Sequence, residues 1–178
     1  MPRPSIDALR QIGDVTNLYR WNLFITRFPN ATPGFNSDDF NLRCESTTLP
    51  TLDDADDTVI AIRGHEIPIS GRFVYNKELT LIFIETVDNK VATWIKAWRD
   101  ASWQPRTGVK ALDVDLQAEI TIERLDNQDQ AIWEYNLFGV LLKTPDPGGT
   151  LDATTNDPLK PNLVLKYAFF EDKPRLGG

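Results

Sequence analysis

Residues 113–123, DVDLQAEITIE, decide the fold class. Val114, Leu116, Ala118, Ile120 and Ile122 share one parity, and Asp113, Asp115, Gln117, Glu119, Thr121 and Glu123 share the other. Successive side chains of an extended chain point to opposite faces, so this alternation predicts a strand with one buried face and one wet, acidic face. Asp126-Asn127-Gln128 turns the chain, and residues 132–142 (IWEYNLFGVLL) return as the hairpin partner.

Strand signals continue on both sides of this hairpin. Residues 18–28 (LYRWNLFITRF) mix aromatic and β-branched side chains and stop at Pro29, Pro33 and Gly34, which predicts a first strand. Phe40, Leu42 and Cys44 alternate with polar residues, which predicts a second, half-buried strand over 40–45. Residues 58–62 and 67–70 flank Arg63-Gly64-His65-Glu66 as a hairpin, with Gly64 supplying the positive φ and Pro68 marking an edge or irregular arm. Residues 77–85 (KELTLIFIE) read as a core strand, and residues 162–170 as the last one. A polar insertion, 144–158, is rich in Pro, Gly, Thr and Asp.

One segment breaks the pattern. Val91, Trp94, Ile95, Trp98 and Ala101 fall at helical spacing, with Lys96 and Arg99 opposite, so a helix is expected over about 88–102. Asp88 is its expected N-cap, and Pro105 and Gly108 end it. Val91, Trp94, Ile95 and Trp98 are its expected core face. The expectation is a mainly β fold, two packed antiparallel sheets forming a sandwich or barrel of seven or eight strands, with one flanking helix. All 178 residues form one domain in this reading, with an N-terminal arm 1–17, a loop and hairpin 46–72, and a C-terminal tail 171–178.

Composition narrows the function. A net charge of −7 without a basic stripe argues against a protein that holds nucleic acid by neutralising phosphates. The first 17 residues carry Arg3, Asp7, Arg10 and Asp14 and no apolar stretch, which does not fit a signal peptide, and no run is long enough for a membrane helix. A single cysteine, Cys44, excludes an internal disulfide and fits a reducing compartment.

Catalytic devices lack their parts. His65 is the one histidine, and it sits in an expected turn, where a Ser-His-Asp or Cys-His arrangement has no frame. Cys44 and His65 alone do not make a zinc site. Gly148-Gly149 is not followed by Lys-Ser or Lys-Thr, so it is no phosphate loop. Carboxylates are plentiful but lie in a solvated run or on one strand face, not beside apolar groups that would raise a pKa, as a glycosidase needs. No enzyme activity, cofactor or metal is expected. Cys44 reads as a small buried hydrophobe, and Trp94 and Trp98 as pins between helix and sheet.

The order of these elements resembles the tail tube proteins of contractile-tailed bacteriophages. The residues carrying the likeness are Asn22-Leu23-Phe24-Ile25-Thr26, residues 40–50 (FNLRCESTTLP), residues 67–73 (IPISGRF), the strand at 79–84, the helix ending Trp94-Ile95-Lys96-Ala97-Trp98, Asn136-Leu137-Phe138-Gly139-Val140, and Tyr167-Ala168-Phe169-Phe170. The insertion 144–158 and the arm 1–17 have no counterpart in that pattern.

The resemblance implies a non-enzymatic virion protein assembled in the host cytoplasm. Six copies close into a ring, sheets join edge to edge, and rings stack into a hollow tube inside a sheath. Its partners would be copies of itself, the tail sheath protein, and baseplate and tail-terminator proteins, with DNA passing through the lumen without sequence-specific binding or membrane insertion. The fold is related to the haemolysin-coregulated tube protein of type VI secretion, so a tube carrying effectors is the near alternative. A ligand-binding β-barrel is the alternative from another class.

Two sets of residues become candidate sites under that implication. Asp113, Asp115, Gln117, Glu119 and Glu123 would line the channel, repelling DNA so that it slides; the competing reading is an ordinary solvated strand face. Asp53, Asp54, Asp56 and Asp57, expected in a loop, would meet a basic surface on a neighbouring ring, with Arg72, Lys173 or Arg175 as counterparts; the competing reading is a solvated loop.

Overall fold

The computed structural model describes residues 13–30, 32, 35–55, 58–148 and 151–175. The described chain forms eleven strands and three helical segments. In chain order these are β1 (Trp21–Arg27), α1 (Ser37–Arg43), β2 (Cys44–Thr47), β3 (Leu52–Ala55), β4 (Thr58–Ile62), β5 (His65–Ile69), β6 (Phe73–Tyr75), β7 (Glu78–Phe83), α2 (Lys90–Ser102), α3 (Asp113–Leu116), β8 (Ala118–Leu125), β9 (Ala131–Asp146), β10 (Asn162–Lys166) and β11 (Phe169–Pro174). None of the helices is long and apolar enough to cross a membrane.

The fold is mainly β, with antiparallel sheets facing a flanking helix. β1, β8, β9 and β11 form one sheet, in that order. The far end of β9 continues into a second sheet, β9-β10-β7-β2. Leu23, Ile25, Ile120, Ile122 and Leu137 from the first sheet and Leu79, Leu81, Phe83, Leu163 and Leu165 from the second are buried between the layers. Burying such alternating apolar positions supplies the main driving force for the sandwich.

β9 changes sheets at Gly139, whose φ is +62°. The β8–β9 register shifts at this point, and an added Cβ would sit 3.0 Å from Ala168 Cβ. Glycine is therefore required on conformational and on steric grounds. Gly139→Ala is expected to cost about 1–2 kcal/mol of stability, from the left-handed conformation alone. Equilibrium denaturation of the purified protein checks this; an unchanged midpoint would mean that the corner relaxes.

The chain also crosses between sheets at Tyr167 and Ala168, so the expected last strand over 162–170 is two strands, and 171–174 belong to β11 instead of a tail. The Tyr167 hydroxyl donates to Asn76 O, and Ala168 N donates to Phe138 O at 2.9 Å, which fixes the step. Similarly, Thr144 to Asp146 lie in β9, paired with β10, so the polar insertion begins later than its composition suggests.

Residues 40–43 correct a second expectation. They belong to α1, not to a strand: Phe40 is buried whereas Leu42 is 84% exposed. Asn36 caps α1 by accepting from Asp38 N at 3.0 Å, acids occupy its first turn, and Asp39 pairs with Arg43 at 3.1 Å. Phe40 anchors α1 among aromatics, its ring 4.8 Å from Trp94 and 5.7 Å from Phe83. Cys44 is buried at the start of β2, and its thiol is pushed up to about 12 by that burial.

α2 lays Val91, Trp94, Ile95 and Trp98 against the sheets, each fully buried. Trp98 Nε1 donates to Leu116 O at 3.0 Å, satisfying the indole inside the core. The helix starts later than Asp88 and is capped differently. Asn89 stands at the cap with φ +51° and no side-chain bond to the helix, its amide donating instead to Val87 O at 3.2 Å, while buried Glu85 accepts from Ala92 N at 2.6 Å and Val91 N at 3.4 Å. Asp88 pairs instead with Arg43 at 3.4 Å and Lys90 at 3.6 Å.

Candidate channel-lining face and assembly surfaces

The acidic alternation of residues 113–123 divides in two. Residues 113–116 form the single turn α3, and the strand begins at Ala118. Asp113 is exposed and pairs with Lys110 at 2.6 Å; Asp115 accepts from Asn30 at 3.1 Å; Gln117 is the half-buried residue between turn and strand. Only Glu119 and Glu123 of the five candidates are in β8, with Thr121 between them, opposite the buried Ile120 and Ile122.

The register of the neighbouring strands assembles a polar face around these two. Thr121 stands opposite Asn136, Glu123 opposite Glu134, and Glu134 opposite Lys173. Thr121 donates to Asn136 Oδ1 at 2.7 Å, and Asn136 donates to Glu134 Oε1 at 2.6 Å. Arg175 Nε donates to Glu134 Oε2 at 2.5 Å and approaches Glu123 at 3.6 Å; Lys173 lies 3.5 Å from Glu134. Arg27 lies 3.6 Å from Glu119. Burial resists ionisation of Glu134, but the Asn136 and Arg175 hydrogen bonds and the two cations outweigh it and hold its carboxyl below the usual range. The face is thus an interlocked set of acids and bases, not a bare acidic strip.

The sequence did not place Glu134, Asn136 or Arg175 on this face; Arg175 was expected opposite the Asp53–Asp57 run instead. Their one signal was Glu134 and Asn136 alternating within residues 132–142; the arrival of β11 from the other end of the chain could not be read locally.

Asp53 and Asp54 also depart from expectation, lying in β3, which pairs with β6, and not in a loop. Asp56 and Asp57 lie outside the described residues. Next to them, β4 and β5 form a two-stranded sheet of their own, turned at Arg63 (φ +52°) and Gly64 (φ +82°). Two consecutive positive φ values make a type I′ hairpin turn. His65 is therefore the first residue of β5, opposite Ile62, and exposed.

Strand edges are unequally protected. The outer edge of β1 is covered by α1: Leu23 N donates to Asn41 Oδ1 and Ile25 N to Ser37 Oγ, each at 2.8 Å. No described strand covers the outer edges of β2 or β11. The interior between the sheets is filled by Trp94, Trp98, Phe40, Phe83 and the aliphatic residues, leaving no room for the large apolar cavity a ligand-binding barrel requires.

No family model matches the chain, and no curated protein matches its sequence. Solved structures do match, nearly end to end. A chain of an extracellular contractile injection system, the PVC sheath–tube complex in its extended state, aligns at a TM-score of 0.63 and 15% identity, covering 96% of this chain and 99% of that one. A chain of the anti-feeding prophage baseplate aligns at 0.61 and 15%, covering 90% and 97%. Hcp1 from Salmonella typhimurium aligns at 0.50 and 9%, covering 89% and 90%. The chain has the tube fold of contractile injection systems. The fold presents three distinct surfaces: the polar face of β1-β8-β9-β11, the edges of β2 and β11 that no described strand covers, and the separate β4–β5 hairpin.

Proposed function

We propose that this chain is a non-enzymatic structural subunit of the tube of a contractile particle, six copies closing a ring and rings stacking into a hollow conduit. The observation that carries this reading is the end-to-end match of the fold to tube structures, with 96% of this chain and 99% of the other aligned. The uncovered outer edges of β2 and β11 support it, because closure of sheets around a ring removes exposed edges. Its partners in this reading are further copies, a sheath protein, and baseplate and terminator proteins.

The bore is assigned to the polar face carrying Glu119, Glu123 and Glu134. Asp113 and Asp115, at the margin of the sheet, fall outside it. The Asp53–Asp57 run is assigned to contact with the next ring. Lys173 and Arg175 are already paired with Glu134 and Glu123, which leaves Arg72 as its counterpart. The described structures that match come from extracellular injection particles and an anti-feeding prophage, which favours effector cargo over phage DNA.

Negative-stain electron microscopy of the purified protein tests the proposal. Hollow rings or tubes are the expected result. A uniformly monomeric species by light scattering, at every concentration, would overturn it.

A further inference from the structure

One charge lies on the inward side of its strand. Ala118, Ile120 and Ile122 form the inward row of β8, each buried, and Arg124 continues that row. Arg124 is half-buried, and its cross-strand neighbours are Trp21 on β1 and Trp133 on β9. No carboxylate or other acceptor among the described residues holds its side chain. A guanidinium drawn away from water is costly without a partner, and an anion beside it removes that cost.

Arg124 lines a slot of about 210 Å³ between the start of β1 and the end of β2. Trp21, Leu49 and Ile122 are its apolar walls, and Leu18 stands at its rim, 98% exposed. Arg20 is the second cation of the lining. Its Nη1 donates to Asp129 Oδ1 at 2.7 Å and to Asp126 O at 3.3 Å, whereas its Nε is buried without an acceptor. Trp133 Nε1, on the strand beside Arg124, is likewise buried without an acceptor. No Asp or Glu lines the slot, on a chain that has 26 of them against 19 Lys and Arg. Two guanidiniums therefore border one small apolar space.

We propose that this slot binds a small apolar monocarboxylate, a carboxylate carried on an aryl or alkyl body. The carboxylate pairs with Arg124, whose planar fork matches its two oxygens, and the body lies against Trp21, Leu49 and Ile122. Size sets the class of ligand. The slot falls below the roughly 300–1,000 Å³ of drug-sized pockets, so the body is about as large as one side chain. The apolar walls disfavour a hydrated inorganic anion, whose remaining oxygens would find no donors there. Two cations with no acid among the lining disfavour an amine. Every group the site uses belongs to one copy, so the proposal stands or falls separately from the tube reading.

Isothermal titration calorimetry of the purified protein tests it, with 4-phenylbutyrate as the probe and 4-phenylbutanol and 4-phenylbutylamine as matched comparisons. The acid is expected to bind with a Kd of about 0.1–1 mM, and the alcohol and amine about tenfold more weakly or worse. Arg124→Gln is expected to bring the acid level with the alcohol, whereas Arg106→Gln, at an exposed position off the slot, leaves it unchanged. Thermal unfolding reads whether Arg124→Gln keeps the fold. In case it does not, the indole N–H resonance of Trp21 in the wild type, assigned with Trp21→Phe, is expected to shift on adding the acid and not on adding the amine. An acid that binds no better than the alcohol or the amine overturns the proposal, as does an Arg124→Gln variant that binds like the wild type. Neither heat nor a shifted indole signal up to about 10 mM acid overturns it as well. Binding by dispersed protein that assembled tubes lose overturns the free acid as occupant and gives the slot to a neighbouring copy.

Discussion

Trp98→Ala is expected to destabilise the protein by about 3–5 kcal/mol, as truncation of a large aromatic in a core does. Trp98 is fully buried, its ring centroid lies 5.2 Å from that of Trp94, and its indole N–H holds Leu116 O. Alanine would leave a cavity under α2 and strip the Leu116 carbonyl of its buried donor, so two penalties add. A domain whose whole stability is on the order of 5–15 kcal/mol loses a large part of it. Chemical denaturation of the purified protein measures the loss, and a value under about 1 kcal/mol would show that the core closes around the gap.

If the face carrying Glu119 and Glu123 lines the bore as proposed, replacing both with lysine is expected to turn tubes that leave DNA, used here as a polyanionic probe, in solution into tubes that retain it. The Glu119 side chain is 38% exposed and that of Glu123 16%, each in one ion pair at 3.6 Å, so folding should survive with some loss of stability, most of it from Glu123. Each substitution changes the charge by two, and in a ring it would be repeated in every copy. DNA incubated with variant tubes should co-sediment at low salt and dissociate as salt rises, since phosphate binding falls steeply with ionic strength. Wild-type tubes should leave it in solution. Asp113→Lys with Asp115→Lys is the control, because those residues stand off the face. Variant tubes that behave as the wild type does, or assembled tubes in which Glu119 and Glu123 face outward, would remove the bore assignment and leave the subunit role intact.

The strand content and the amphipathic helix were legible because both depend on periodicity within about ten residues. Leu79, Leu81 and Phe83, or Val91, Trp94, Ile95 and Trp98, carry their burial in their spacing. Short helical turns were not legible. Phe40, Leu42 and Cys44 alternate as a strand would, yet Leu42 points to solvent and Phe40 into the core, because Asn36, with Asp38 and Asp39 after it and Arg43 in the last turn, starts and ends a helix. That capping signal stood in the sequence and was outvoted by three apolar residues. Asp113 to Leu116 failed in the same way: Leu116 belongs to the core in either conformation, so its burial could not separate turn from strand. The polar face was half legible. Glu119 and Glu123 follow from β8 alone, whereas Lys173 and Arg175 reach it only through a pairing of residues some 40 positions apart, which no local pattern encodes.

The passage of β9 from one sheet to the other also sets how the fold comes apart. Its 16 residues hydrogen-bond to β8 and β11 in one layer and to β10 in the other, so neither layer can open without breaking pairs to the same strand. Partial unfolding by separate halves is thereby suppressed, and the two layers melt as one cooperative unit. The amides of β9 on both sides of Gly139 should accordingly exchange with solvent only through global opening, at one common rate, while those of the β4–β5 hairpin, whose strands pair only with each other, should exchange freely.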